Sequence, residues 1–121
     1  MRSLQTEIIL YDIVHQLKHE LELADGVNNS GFIRHMLYKD ETNQVKVHIY
    51  KEDNHKRPHI HLYYKNDYEA SVCIKTGEIL AGSMPKKYLK PISKWQIKNS
   101  VFLLEQWQAV QNGEKPIELS T

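Results

Sequence analysis

Two histidines, His59 and His61, stand one residue apart in the run Pro58-His59-Ile60-His61-Leu62. Side chains alternate between faces along a strand, so this pair points one way and can offer two imidazoles to one ion. His55 lies just upstream, and His48, Tyr50 and Cys73 fall in the adjoining segments. Zinc takes histidine nitrogen at about 2.0–2.1 Å and cysteine sulfur at about 2.3 Å; three protein ligands leave a position where a bound water is acidified. The spacing nominates His55, His59 and His61 as ligands of zinc or another transition metal, with His48 or Cys73 assisting. Without an ion, the same imidazoles suit proton transfer, and a Cys73–His59 contact would lower the thiol pKa.

Positioning these groups requires strands. Val45–Lys51 alternates, with Val45, Val47 and Ile49 opposed to Lys46, His48 and Tyr50. Pro58–Tyr64 and Tyr68–Lys75 alternate likewise, separated by a polar loop over 52–57 and a short turn at 65–67. Matching the apolar positions pairs Val47 with Leu62, Ile60 with Val72 and Leu62 with Ala70, because a one-residue slip would expose every buried side chain. The same register sets His48 opposite His61, Tyr50 opposite His59, His61 beside Ser71 and His59 beside Cys73. One face then gathers His48, Tyr50, His59, His61, Ser71 and Cys73, with His55 in the loop above. A further strand is expected over Gly31–Tyr38.

Helices flank this meander. Leu10, Ile13, Val14, Leu17 and Leu21 form one apolar stripe over about 4–23, with Ser3 or Thr6 as cap and Asp25-Gly26 as stop. Residues about 85–111 read as two helices. Ser83 is the expected cap, and Pro91 should kink or divide the segment. Leu89, Ile92 and Trp95 share one expected buried face; Asn99 or Ser100 starts the second helix, which carries Phe102, Leu103, Leu104 and Trp107. The tail from Glu114 is expected frayed or docked as an extended strand. The expected fold is one two-layer α+β domain over 1–121. An antiparallel sheet of about four strands, within about 31–80, would carry the N- and C-terminal helices on one face and leave the histidine face open.

Composition narrows the classes. The 121 residues carry 16 basic and 15 acidic side chains, a formal charge of +1, which gives no strong overall pull toward nucleic acid. Charge is nevertheless segregated: no acidic residue falls between Glu78 and Glu105, a stretch holding Lys86, Lys87, Lys90, Lys94 and Lys98. The row Lys86, Lys90, Lys94 and Lys98 reads as a solvated helix face or a weak contact for nucleic acid or an acidic partner. Apolar runs such as Ile8–Tyr11 are far shorter than the ~20 residues of a membrane helix, and the start lacks a signal-peptide pattern. A single cysteine, Cys73, cannot form an internal disulfide, so a cytoplasmic setting is expected. Trp95 and Trp107 are expected core anchors. His15 and His19, four apart, are expected on the polar side of the first helix. No phosphate loop, nucleophile elbow or CxxC pair occurs.

Tyr50 to Leu62 reads Y-K-E-D-N-H-K-R-P-H-I-H-L. This resembles a bacterial family of unknown function marked by a D-H-x-P-P-H-F-H signature. The likeness continues through Tyr68-Glu69-Ala70, Thr76 to Gly82, Met84-Pro85-Lys86-Lys87, Trp95, Trp107 and Gly113 to Pro116, about residues 45–117. His55, His59 and His61 keep the motif. Asn54 replaces an aspartate, Arg57 a proline, Ile60 a phenylalanine, and Asn99 a frequent histidine; chemistry by that aspartate or histidine would be lost or moved here. The resemblance implies an accessory protein of small mobile gene modules, some members being proposed toxin–antitoxin partners. It carries over no catalytic residue.

These readings leave three functions. The first is a non-enzymatic module that docks a partner protein, or a second copy, through the His/Tyr-rich face. The second is a small metal-dependent hydrolase or nuclease, toxin-like, using His55, His59 and His61. The third is weak nucleic-acid binding through the Lys86–Lys98 face.

Overall fold

The computed structural model describes residues 3–25, 45–52, 57–65 and 67–120. Helix α1 spans Leu4–Asp25 and begins at a Ser3 cap, where the Thr6 N–H donates to Ser3 Oγ at 3.1 Å. Strands β1 (Val45–Ile49), β2 (His59–Tyr64), β3 (Tyr68–Cys73) and β4 (Ile79–Ser83) follow, then helices α2 (Lys86–Lys98) and α3 (Ser100–Gln111), then strand β5 (Ile117–Ser120). The protein is α+β. Among the described residues, five strands form one open antiparallel sheet in the order β4-β3-β2-β1-β5.

The register follows the apolar matching. Val47 pairs with Leu62 and His48 with His61; His59 pairs with Cys73, Ile60 with Val72 and His61 with Ser71. β5 lies along the free edge of β1, pairing Ile117 with Ile49 and Leu119 with Val47. The tail is thus a docked strand, and the sheet exceeds the expected four. The strand expected at Gly31–Tyr38 lies outside the described residues.

The apolar sheet face and the α1 stripe share one core. Leu10, Ile13, Val14, Leu17 and Leu21 join Val45, Val47, Ile49, Ile60, Leu62, Val72, Ile117 and Leu119 in a single buried cluster. Trp95 anchors α2 to α1, its indole N–H donating to the Ile13 carbonyl at 2.7 Å. Both tryptophans are buried.

Two expectations about the C-terminal helices change, and of the kink or division expected at Pro91 the division does not occur. Pro85, not Ser83, stands at the cap of α2, and no side chain caps it. α2 runs through Pro91 and stops at Asn99, whose backbone and side-chain N–H groups both donate to the Trp95 carbonyl. Buried Tyr88 takes the place expected for Leu89, which is 37% exposed.

The reason for burying Tyr88 lies at the end of α1. Asp25 accepts the Tyr64 hydroxyl on Oδ2 at 2.8 Å and the Tyr88 hydroxyl on Oδ1. Lys65 Nζ and Lys87 Nζ close on the same carboxylate at 2.6 and 2.9 Å. Burial alone would raise the Asp25 pKa, but these four donors outweigh it and hold the carboxyl well below the usual range. Burial and the adjacent carboxylate push both tyrosines up. One side chain thereby ties α1 to the far end of β2 and the first turn of α2.

Candidate functional site

The opposite sheet face carries the histidines. Alternation along β1 sends His48 to this face, and the parity continues through Tyr50 to Glu52 beyond the strand end. β2 contributes His59 and His61. Ligand atoms of Glu52, His59 and His61 all lie within 4.8 Å of one another, which makes these three the one cluster among the described residues able to hold a metal ion.

The internal geometry is informative. Glu52 Oε1 lies 3.4 Å from His59 Nε2 and 3.5 Å from His61 Nε2. A good N–H···O hydrogen bond would be near 2.9 Å. Two ligands each about 2.1 Å from a tetrahedral ion are about 3.4 Å apart. The spacing therefore suits a shared ion better than direct hydrogen bonds. His59 Nδ1 lies 2.7 Å from the Arg57 carbonyl, which can only accept, so Nδ1 carries the hydrogen and Nε2 is the nitrogen a neutral ring would offer to an ion. That backbone anchor on the non-ligating nitrogen is the usual support of a metal-bound histidine. His61 Nε2 is buried and has no hydrogen-bond partner.

Helix α3 fixes this arrangement. Trp107 packs on His59 with ring centroids 5.0 Å apart. One turn on, the Gln111 side chain accepts the Glu52 N–H at 2.8 Å and donates to the Tyr50 carbonyl at 2.8 Å. Residues four apart share a helix face, so one edge of α3 sets both the His59 ring and the backbone of the carboxylate. The histidine face is consequently not fully open, since α3 covers its His59 end and leaves His59 6% exposed.

The remaining predicted residues are distributed around this cluster. His48 and Tyr50 adjoin it: His48 Nδ1 and the Tyr50 hydroxyl are 2.5 Å apart, and the Tyr50 and His61 rings lie 5.1 Å apart. Burial lowers the His48 pKa, against the pull of Glu118 on β5; burial and the neighbouring Tyr63 raise that of Tyr50. His55 lies outside the described residues. Cys73 pairs with His59 in register but turns elsewhere, its Sγ 3.4 Å from an Arg57 guanidinium nitrogen. Burial raises that thiol's pKa, but hydrogen bonds from Thr76 and Lys75, with Arg57 alongside, bring it below the ordinary value. Lys86, Lys90, Lys94 and Lys98 are exposed on α2, and His15 and His19 are exposed on α1, all away from the cluster. Glu52 and Gln111 went unrecognised in the sequence. Glu52 was within reach of the pattern, because it continues the 48, 50 parity by one more step.

What these features define is an α+β domain with two histidines and a carboxylate converging on one side of an antiparallel sheet. A family model described as a domain of unknown function (DUF4160) matches residues 44–108, more than half of the chain. The chain belongs to that family. No curated protein and no solved structure matches it. The matched span holds Glu52, His59, His61 and Trp107, whereas α1, Gln111 and β5 lie outside it. No helix among the described residues is long and apolar enough to cross a membrane.

Proposed function

We propose that Glu52, His59 and His61 bind one divalent transition-metal ion and that the domain is a small metal-dependent hydrolase. The observation that carries this reading is the buried, unpartnered Nε2 of His61, held at ion-sharing distance from the carboxylate that also faces His59 Nε2. Such an orphaned nitrogen costs about 1–3 kcal/mol unless something satisfies it. Two imidazoles and one carboxylate suit zinc or a similar borderline ion. Three protein ligands would leave coordination open to solvent and substrate, and an ion held there would acidify water and polarise a carbonyl or phosphoryl oxygen. The Arg57 carbonyl and Gln111 would orient the His59 ring and the Glu52 backbone for holding it. Half-exposed Tyr50, Tyr63 and His48 border the side from which a substrate would approach.

The test is the metal content of untagged protein purified without chelators, beside Glu52→Gln and a His59→Ala/His61→Ala double variant. Near-stoichiometric metal in the wild type, lost from both variants with their circular dichroism unchanged, is expected. Zinc in hundredfold excess over its dissociation constant should also stabilise only the wild type, by about 2.7 kcal/mol. Hydrolysis of activated phosphodiester and carboxylic ester substrates should follow the metal. A wild type that refuses added zinc, cobalt and manganese overturns the metal centre and returns the His/Tyr face to a docking role. Full metal occupancy without turnover of either substrate class overturns the hydrolase assignment alone.

A further inference from the structure

The outer side of the helical layer carries a second feature, remote from the histidine cluster. A groove of about 760 Å³ runs between α1 and α2. Asp12, His19 and Glu20 line its α1 wall, and Lys94, Ile97 and Lys98 line its α2 wall. The helices are oppositely charged: α1 carries Glu7, Asp12, Glu20, Glu22 and Asp25 against Lys18 alone, and α2 carries five lysines and no acid. Asp12, Glu20, Lys94 and Lys98 nevertheless make no ion pair with another described residue.

Beside the groove, α1 presents an apolar row at i, i+4 and i+7. Leu4, Ile8 and Tyr11 are 77%, 59% and 48% exposed. Residues at that spacing form one ridge, the pattern of a helix that docks in a groove. Ile97 and Val101 add exposed apolar surface at the α2–α3 junction.

We propose that this face is the interface of a two-fold dimer, with the acidic α1 of each copy lying against the lysine-bearing α2 of the other. Charge complementarity selects a second copy as the occupant. A partner filling this groove must set carboxylates against Lys94 and Lys98, and lysines against Asp12 and Glu20. The same face turned about a two-fold axis supplies both at once, and two-fold contacts are the commonest way a chain self-associates. The Leu4-Ile8-Tyr11 ridge then leaves water. The size suits a small interface: α1 is about 33 Å and α2 about 20 Å long, each about 10 Å wide, a flat footprint of about 500 Å² per partner, toward the low end of specific interfaces.

The experiment uses the full chain and two charge-reversed variants, Asp12→Lys/Glu20→Lys and Lys94→Glu/Lys98→Glu, all on exposed positions. Sedimentation and light scattering report mass; circular dichroism reports folding. The wild type should be dimeric. Each variant alone places like charges across both halves of the interface and should dissociate at least about tenfold more readily. Mixing the two should restore a heterodimer, because each reversed helix then meets its reversed complement. A monomeric wild type overturns the proposal, whether the groove is open or takes a different protein or an amphipathic ligand. A dimer that survives in both variants also overturns it, by placing self-association elsewhere. Two folded monomeric variants that fail to combine overturn the α1-on-α2 pairing.

Discussion

Replacing Asp25 by asparagine removes a charge without changing shape, and the structure sets the cost. Tyr64 and Tyr88, both buried, each donate a hydroxyl to one of the two carboxylate oxygens. A hydrogen bond to a charged group contributes roughly 1.5–3 kcal/mol and a neutral one roughly 0.5–1.5, so the two together lose about 2 kcal/mol. Lys65 and Lys87 add little, because their side chains are 39% and 56% exposed and such pairs contribute about 0–1 kcal/mol. Asp25→Asn should therefore lower stability by about 2 kcal/mol, or Tm by roughly 8 °C for a domain of this length. The pH dependence has a definite sign. A carboxyl depressed in the folded state stabilises it fully above the unfolded value near 3.9, and that contribution disappears as pH falls toward the folded value. The gap between wild type and Asp25→Asn should hold from pH 7 to about 5 and narrow below about 4. Urea melts of both proteins over this range, with Tyr64→Phe and the double variant, measure it. In the cycle, Asp25 and Tyr64 should couple by about 1 kcal/mol. A loss under 0.5 kcal/mol at pH 7, or a gap unchanged down to pH 3, would refute the reasoning.

Gln111→Ala removes both hydrogen bonds that hold the Tyr50–Glu52 backbone and leaves all three proposed ligand side chains in the chain. Zinc affinity, read by competition with a chelating dye, should fall about 10–100-fold with the fold intact; unchanged affinity would show that α3 does not position the carboxylate. Gly82→Ala should destabilise by about 3 kcal/mol or more. Gly82 has φ +82°, and an added Cβ would stand 2.3 Å from the Glu69 carbonyl oxygen, which belongs to the backbone of β3 and cannot swing away. A thermal melt within a few degrees of the wild type would show that β4 shifts freely.

The sheet was legible because alternation over β1, β2 and β3 leaves a single register that buries every apolar side chain. The same parity placed His48, His59 and His61 on one face. Reading residues 52–57 as a polar loop stopped the pattern one step short of Glu52. β5 stood as one of two readings, frayed tail or docked strand, since four residues, Ile-Glu-Leu-Ser, carry too few alternations to decide; β4 was missed, because Ile-Leu-Ala-Gly-Ser shows no apolar–polar alternation. Asp25 looked like a helix stop because its partners, Tyr64 and Tyr88, lie 39 and 63 residues away. That contact also explains Tyr88 for Leu89: the tyrosine brings a hydroxyl that the carboxylate needs, and local periodicity does not register distant polar demand.

The two ends of β2 show how polar satisfaction separates scaffold from site. At Tyr64 the polar groups are saturated, with one carboxylate taking two hydroxyls and two ammonium groups. Such a network stabilises what it joins and has little capacity left for a ligand. At His59 and His61 the accounting is incomplete. One imidazole is anchored through Nδ1, with Nε2 the nitrogen it would offer to an ion, the other has a buried orphan nitrogen, and the carboxylate between them stands too far for a good hydrogen bond to either. A buried polar group without a partner calls for an explanation, and the proposed ion supplies one here. Helix α3 holds the deficit in place through Trp107 and Gln111 rather than letting Glu52 swing out to water. An arrangement held open in this way is preorganised, so the ion proposed for it would gain its ligands without the cost of assembling them.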